Sequence, residues 1–435
     1  MNIYKPAMQY NDADKNYSLD SAKDLDPLLE RIGDARFVLL GEASHGTHEY
    51  YTWRTQITKR LIREKKFSFI AVEGDWPDCY KINRYIKGFG KEVASEFEIL
   101  KQFNRWPTWM WANWEIAALV KWLKEFNATK FANEKIGFYG LDVYSLWESM
   151  EALIQYLDKT DAAAAATVRK AIHCFEPYHE EGQLYARAHG SLSASCKDEV
   201  VKILNEVRSK AAFYNHDLEA SLNSEQNAFI AVNAENYYSS MVLFNEESWN
   251  IRDRHMEETL TRIVDHSGPG AKAIVWEHNT HIGDARYTDM ENSGMVNVGQ
   301  LIRQLYGEKN VVLVGFGSYE GSVIAGKSWG APLETLNMPK ARNNSVEALL
   351  HNESSQNKLL IFDRNNSKSR FKKTLPHRAI GVVYNPERDY YNNYVPTVLS
   401  ERYDTFIYLD QTRALHPLPV HADTSKTPEA YPFEF

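Results

Sequence analysis

Short apolar runs rich in β-branched residues alternate along this chain with longer stretches of helical periodicity. The runs cover 37–40, 67–72, 136–139, 273–276, 311–314, 359–362 and 380–384. Runs that are apolar on both faces are typical of strands buried in a parallel sheet, and helical stretches between the first three are typical of βαβ units. The pattern predicts an α/β fold with a mostly parallel central sheet flanked by helices.

The stretch 144–267 departs from this alternation. It shows long helical periodicity, an alanine-rich patch (DAAAAATVRK) and no convincing strand. We therefore expect a large helical insertion between the third and fourth core strands. Residues 1–143 and 268–435 would then form the α/β core that carries the active-site rim. A chain of 435 residues exceeds the usual size of a single core, which favours such a division.

Polar side chains that handle protons follow four successive predicted strands. In chain order they are Glu42 and His45, then Glu73 and Asp75, then Asp142, then Glu277, His278 and His281. In open parallel sheets, ligands bind outside the carboxyl ends of the strands, so these groups are expected at one rim. Each residue alone has an ordinary structural explanation, such as a helix cap or a loop hydrogen bond. Such groups after four successive strands favour an active site.

Proton transfer is the chemistry that suits these residue types. Histidine titrates near neutrality, and a carboxylate on its other ring nitrogen fixes the tautomer. His45 with Glu42 or Glu73 is the candidate pair. Arg54 and Arg252 are candidates for stabilising an oxyanion, although a structural ion pair is an equal alternative for Arg252.

Other catalytic signatures are weak or missing from the sequence. It contains no HExxH motif, and GFGSYEG does not match a dinucleotide fingerprint. Three histidines and several carboxylates at one rim are still compatible with zinc or manganese. We expect neither a metal nor another cofactor, but a metal-dependent hydrolase stays open as an alternative.

Tryptophans cluster in the segment RWPTWMWANWEIAALVKWL. They could line a broad apolar cleft, or they could pack helices together. Trp106 and Trp109 are the candidates for substrate contact, together with Asp75, Glu277 and Arg252.

Charge and cysteine content restrict the class of protein. A formal net charge of −8 argues against broad binding to nucleic acid or anionic membranes. The three cysteines are far apart and form no CxxC, which argues against a disulfide framework and suits a reducing compartment. We find no signal-peptide pattern and no apolar run that could span a bilayer. The expectation is a cytoplasmic protein with a small-molecule substrate.

Several motifs resemble those of the erythromycin esterase family. LLGEASHGTHEY, IAVEGDWPD and VWEHNTHIGDAR resemble the family's motifs, while WNIRDRHM, GVVYNPERDYY and DQTRALHPL look like those of a branch of uncharacterised paralogues. The resemblance extends over about residues 20–420. It implies an α/β core with a helical companion around a cleft. It also implies ester hydrolysis by histidine-activated water, without a covalent serine or an obligatory metal. In the best-known members the substrate is the macrolactone of a macrolide antibiotic.

The resemblance also implies a role for particular residues. The matching positions are His45 as general base, Glu42 and Glu73 as motif carboxylates, Arg54 as the helix arginine, and His278 and His281 as the late histidines. One position departs from the pattern, because Glu277 stands where many macrolide esterases have Ala. An extra carboxylate beside His278 is expected to alter the pKa of that histidine and the charge of the cleft. The substrate therefore stays open, as does a non-catalytic small-molecule-binding protein.

Overall fold

The protein is described by a computed structural model, which describes residues 14–89, 95–178, 184–188, 195–210, 219–241 and 246–422. A mixed nine-stranded sheet lies at its centre with helices packed against it, and this confirms the predicted fold class. The strand order is β1-β8-β11-β6-β2-β5-β3-β4, with β7 paired to the far end of β6. The pairs from β11 to β4 are all parallel, whereas β1, β7 and β8 pair antiparallel.

The strands of the described residues are β1 (Lys15–Ser18), β2 (Phe37–Leu40), β3 (Phe69–Asp75), β4 (Gly137–Asp142), β5 (Ala273–Trp276), β6 (Val311–Gly326), β7 (Leu333–Met338), β8 (Lys358–Ile361), β9 (Thr374–Arg378), β10 (Tyr394–Val398) and β11 (Thr405–Thr412). Strands β9 and β10 form a separate two-stranded sheet.

The α-helices of the described residues are α1 (Asp26–Ile32), α2 (His48–Lys65), α3 (Trp76–Lys87), α4 (Glu96–Leu100), α5 (Trp114–Ala128), α6 (Leu146–Thr160), α7 (Ala162–Phe175), α8 (184–188), α9 (Lys197–Lys210), α10 (Ala220–Ser240), α11 (Glu247–Ser267), α12 (Asn279–Ile282), α13 (Val298–Tyr306), α14 (Val346–Glu353), α15 (Asp389–Asn392) and α16 (Leu399–Arg402).

Strand β2 shows why the central strands are apolar throughout. All four of its residues are buried. Val38 and Leu40 pack into the core on one face of the sheet, and Phe37 and Leu39 pack into the core on the other. Because neighbouring side chains of a strand point to opposite faces, a sheet covered on both sides requires such an unbroken run.

One predicted strand is wrong. The run 380–384 forms only isolated bridges, in which Ile380 pairs with Ser44 and Val383 with Gly326. Its apolar side chains are instead used to cover the sheet, since Val382 packs against the core on one face. The apolar composition of this run therefore reflects the burial of its side chains and not the hydrogen bonding of a strand.

Helices α6–α11 lie between β4 and β5, where the sequence predicts a helical insertion. Many of their apolar residues form a hydrophobic cluster distinct from the two clusters that flank the sheet. A disulfide joins Cys174 and Cys196, whose Cα atoms are 6.0 Å apart, and this corrects the expectation that the chain has none. Cys79 is a buried free cysteine. The division into an α/β core and a helical domain stays a prediction.

Among the described helices, none combines the length and the apolar character needed to cross a bilayer.

Candidate active site

The strand order explains why distant polar residues meet. Strands β2, β5, β3 and β4 are consecutive neighbours and run parallel, so their carboxyl ends share one edge of the sheet. The loop after β2 is pressed against β6, and a Cβ on Gly46 would lie 1.9 Å from the carbonyl oxygen of Ile324. This close approach fixes the loop that carries His45 directly above the edge.

His45 is held by a carboxylate, as the sequence suggests. Its Nδ1 lies 3.0 Å from Oε1 of Glu42, and both side chains are almost fully buried. On the opposite side, Arg54 Nη2 donates to Glu42 Oε2 at 2.5 Å. Tyr51 donates its hydroxyl to the backbone carbonyl of His45 at 3.0 Å. The imidazole is therefore oriented by both its side chain and its backbone.

Arg54 lies behind the rim, and this corrects the expectation that it faces a reacting carbonyl. Its side chain is 1% exposed. The guanidinium carbon sits 4.5 Å from the ring centre of Tyr51 and 4.6 Å from that of Trp276. A guanidinium enclosed by two rings and one carboxylate positions Glu42, and through it His45.

Arg252 of α11 joins two of the predicted carboxylates. Its Nε and Nη2 donate to the two oxygens of Asp142 at 2.9 and 2.7 Å, and Nη2 also donates to Glu73 Oε1 at 2.8 Å. Burial alone would raise the pKa of Glu73, but His281, His45 and Arg252 hold that pKa well below its usual range. Glu73 is therefore a carboxylate at neutral pH, and its Oε2 accepts from the backbone N–H of His278 at 2.9 Å.

His281 is fixed by two residues that sequence reasoning did not assign to the site. Asp253 accepts from His281 Nδ1 at 2.9 Å, and the ring of Trp249 stacks on the imidazole at 4.6 Å with 7° between the planes. Arg252 Nη1 lies 3.2 Å from His281 Nε2. Helical spacing in the sequence could have indicated these two residues. Arg252 and Asp253 follow Trp249 by three and four positions on α11, so the three side chains share one face of the helix.

His278 differs from His45 in its surroundings. Its Nδ1 accepts from the backbone N–H of Thr280 at 3.3 Å, and its Nε2 is buried. Burial, assisted by nearby His45 and opposed by Glu73 and the Ala43 backbone, lowers the pKa of His278 well below its usual value. A neutral ring that accepts at Nδ1 carries its proton at Nε2. The ring centres of His278 and His45 are 4.9 Å apart.

Two cavities meet at His45, Glu73 and Arg252, which line both of them. The walls of the first combine the aromatic side chains of Trp106, Trp111, Tyr144 and Trp329 with charged side chains. The second is lined by His278 and His281, by Trp249 of α11, and by Tyr394 of β10. Trp109 lies behind the wall of the first cavity, where it packs edge-on against Trp106 at 5.4 Å.

Asp75 lies on the wall of the first cavity. Arg105 Nε donates to its Oδ2 at 2.6 Å. Burial raises the pKa of Asp75 to about 7, although Arg105 opposes the shift. The charge of this cavity therefore changes near neutral pH.

A family model described as "Erythromycin esterase" matches residues 62–412, which is most of the chain. The chain belongs to the erythromycin esterase family. Membership indicates a hydrolase. The match begins after the GEASHG motif, so the placement of His45 rests on the geometry described above.

Individual relatives of this erythromycin esterase family member are distant. The erythromycin esterase type II of Escherichia coli is 24% identical over 372 residues, which cover 80% of this chain and 85% of that protein. A solved structure of a Bacillus cereus protein is similar with a TM-score of 0.76, 20% identity and coverage of 92% and 94%. A mutant of the erythromycin esterase EreC in its open conformation gives a TM-score of 0.68, 14% identity and coverage of 92% and 98%. These structural likenesses concern the fold.

Glu277, where this family member departs from the expected Ala, does not reach either cavity. It is 0% exposed, and neither carboxyl oxygen has a hydrogen-bond partner within the described residues. Burial, together with the negative charges of Glu73 and Asp253, raises the pKa of Glu277 well above its usual value. Glu277 is thus a neutral acid under the rim, and the expectation that it contacts substrate does not match its placement.

This assignment predicts how stability changes in a Glu277→Gln variant. An acid whose pKa is raised by folding stabilises the native state least at high pH, so the wild type should lose stability as the pH rises above 4.5. Glutamine does not titrate. The free energy of unfolding of the variant, relative to that of the wild type, should therefore increase by up to about 1.4 kcal/mol for each unit that the pH rises. Urea denaturation at pH 5, 6.5 and 8 measures the difference. A difference that stays constant with pH would show that Glu277 is ionised.

Proposed function

We propose that this chain is a carboxylic ester hydrolase in which His45 activates a water molecule. The observation that carries the proposal is the chain of contacts from Arg54 to Glu42 to His45, with His45 at the junction of two cavities. A histidine oriented by a buried carboxylate is the arrangement that general-base catalysis requires.

The protons can be followed atom by atom. With Nδ1 donating to Glu42, the basic lone pair of His45 is on Nε2. Nε2 takes a proton from water as the water oxygen attacks the ester carbonyl carbon, and Glu42 stabilises the imidazolium that forms. The carbon–oxygen bond of the tetrahedral intermediate then breaks. The departing alcohol oxygen receives the proton from Nε2, and a carboxylic acid is released.

Two donors beside His45 are suited to the negative charge that develops on the carbonyl oxygen. The neutral His278 offers the N–H of its Nε2, beside the backbone of Ala43. Arg252 offers a permanent positive charge that borders both cavities. Donors held in place before the reaction stabilise the intermediate without reorganisation. His281, bound by Asp253 and stacked on Trp249, positions Arg252 in this scheme.

Ser44 and Cys79, two side chains of the nucleophilic type, are poorly placed to attack a substrate. Ser44 is buried, lines neither cavity and shares a hydrogen bond with Thr47. Cys79 is buried, and burial raises the pKa of its thiol well above the usual value. Both observations support direct attack by water.

The two cavities suit the two halves of an ester. The aromatic side chains of the first cavity favour a bulky hydrophobic group, and the histidine and asparagine side chains that line the second favour an oxygenated group. We propose an ester or lactone as substrate, with no nucleic acid or membrane partner. Since the E. coli relative is named an erythromycin esterase, macrolactones are the first compounds to test.

A hydrolysis screen by mass spectrometry tests this proposal. Purified protein is incubated with macrolides, simple esters, lactones, peptides and phosphoesters, each with and without a chelator. We expect the mass of one water to be added to a lactone, or an ester to be split into acid and alcohol. Turnover of only phosphoesters or peptides, dependent on added metal, would contradict the proposal.

A further inference from the structure

A second cluster of ionisable side chains lies outside the candidate active site. His48 is the first residue of α2, Glu115 is the second residue of α5, and His416 lies in the segment after β11. The Nδ1 atoms of the two histidines lie 2.5 and 2.6 Å from the same oxygen, Oε1 of Glu115. None of the three lines either cavity of the active site.

Backbone hydrogen bonds hold these three residues in place. The N–H of His48 donates to the carbonyl of Arg413 at 2.9 Å, and the N–H of Trp114 donates to the carbonyl of His416 at 3.0 Å. The N–H of Leu415 donates to the carbonyl of Gly46, also at 2.9 Å. The segment 413–418 therefore ties the start of α2 to the start of α5. These backbone contacts hold the three side chains close together independently of the contacts between the side chains themselves.

The three side chains of this cluster differ in their exposure and in their hydrogen bonding. The side chain of Glu115 is 4% exposed, and its buried Oε2 makes no hydrogen bond to another described residue. Burial opposes ionisation of Glu115, but hydrogen bonds from His48 and His416 lower its pKa, so it is a carboxylate at neutral pH. The side chains of His48 and His416 are 22% and 57% exposed, which leaves one side of the cluster open to solvent.

Two imidazole nitrogens and one carboxylate are a donor set that zinc prefers, with a water completing the tetrahedron. The candidate ligand atoms all lie within 4.8 Å of one another. Around a zinc ion, with bonds of about 2.0–2.1 Å, neighbouring ligand atoms are about 3.3 Å apart. The two partly exposed histidines can open their contacts with Glu115 to that distance by small side-chain rotations.

We propose that Nδ1 of His48, Nδ1 of His416 and the carboxylate of Glu115 bind a Zn²⁺ ion at a site separate from the catalytic centre. The ion would clamp the segment 413–418 onto the amino ends of α2 and α5. Because His48 follows the loop that carries His45, the clamp would also stabilise the backbone next to the active site.

Zinc content after metal loading tests the proposal without reference to activity. Wild type, His416→Ala, Glu115→Gln, His351→Ala and His278→Ala are stripped with chelator, loaded with Zn²⁺, desalted and analysed by inductively coupled plasma mass spectrometry. His351 is the matched control, because its Nδ1 also faces a carboxylate, Asp410, at 2.7 Å, and the described residues place no second histidine there. His278→Ala reports zinc bound in the catalytic cleft.

We expect His416→Ala and Glu115→Gln each to bind about one zinc ion fewer than the wild type and the His351→Ala variant. Zinc should also raise the Tm of the wild type and leave that of His416→Ala unchanged, since an ion that binds only the folded state stabilises it. His416 is largely exposed, so its loss should not prevent folding. Equal zinc content in wild type and His416→Ala, or zinc lost only in His278→Ala, would overturn the proposal.

Discussion

A His45→Ala variant is expected to lose hydrolytic activity while keeping its fold. Removal of the imidazole deletes the base that accepts the proton from water, and such a loss lowers turnover by about 10²- to 10⁴-fold. The Ala side chain leaves Glu42 bound to Arg54, so the buried charge pair survives. The measurement is kcat/KM for the substrate found in the screen, together with the Tm of each protein.

The matched control for this prediction is His351→Ala. His351 also points Nδ1 at a carboxylate, lies at the end of α14, and lines neither cavity. We expect its kcat/KM to stay within about twofold of the wild type, since His351 lines neither cavity. A folded His45→Ala protein that hydrolyses as fast as His351→Ala would refute the role of His45.

An Arg252→Met variant is expected to show the largest loss of stability. Arg252 is the shared counter-charge of Glu73 and Asp142, and the side chains of both carboxylates are only 6% exposed. Breaking a buried ion pair by removing one partner costs about 3–5 kcal/mol, because the remaining charges stay buried without compensation. Urea denaturation gives the free energy of unfolding. Hydrolysis should also fall, since Arg252 is a proposed oxyanion donor.

Two further variants test the cause of that loss. Arg252→Met combined with Asp142→Asn should recover part of the stability, because one uncompensated carboxylate is then removed. Arg60→Met breaks pairs with Glu64 and Asp26, whose carboxylates are 45% and 73% exposed and stay solvated after the change, and should cost about 1 kcal/mol. An Arg252→Met protein as stable as Arg60→Met would show that the network contributes little.

Local patterns were enough to predict the central strands and the residues that follow them. The bounds of β2 and β5 agree with their apolar runs, because both strands are buried on both faces. Parallel pairing then brings the polar residues after these strands to one edge, which requires no knowledge of side-chain contacts. The short edge strand β1 was missed, because three of its four residues are exposed and carry no apolar signal.

Partners that depend on tertiary packing lay beyond the sequence patterns. Arg252 pairs with Asp142, a residue 110 positions earlier, and no local spacing connects α11 to the end of β4. Arg54 had the right residue type for an oxyanion donor, but only the packing of α2 against Trp276 shows that it lies behind Glu42. Residue type indicated the chemistry, whereas the direction of each side chain decided its role.

Direct activation of water by His45 is the central claim, and intact-protein mass spectrometry during a single turnover in ¹⁸O-labelled water tests it most directly. Enzyme in excess is mixed with the substrate from the screen, quenched at intervals, and both protein and product are weighed. We predict an acid product that carries one ¹⁸O from solvent and a protein whose mass never changes. A protein that gains and then loses the mass of the acyl group as product appears would contradict the account, because it would show a covalent intermediate.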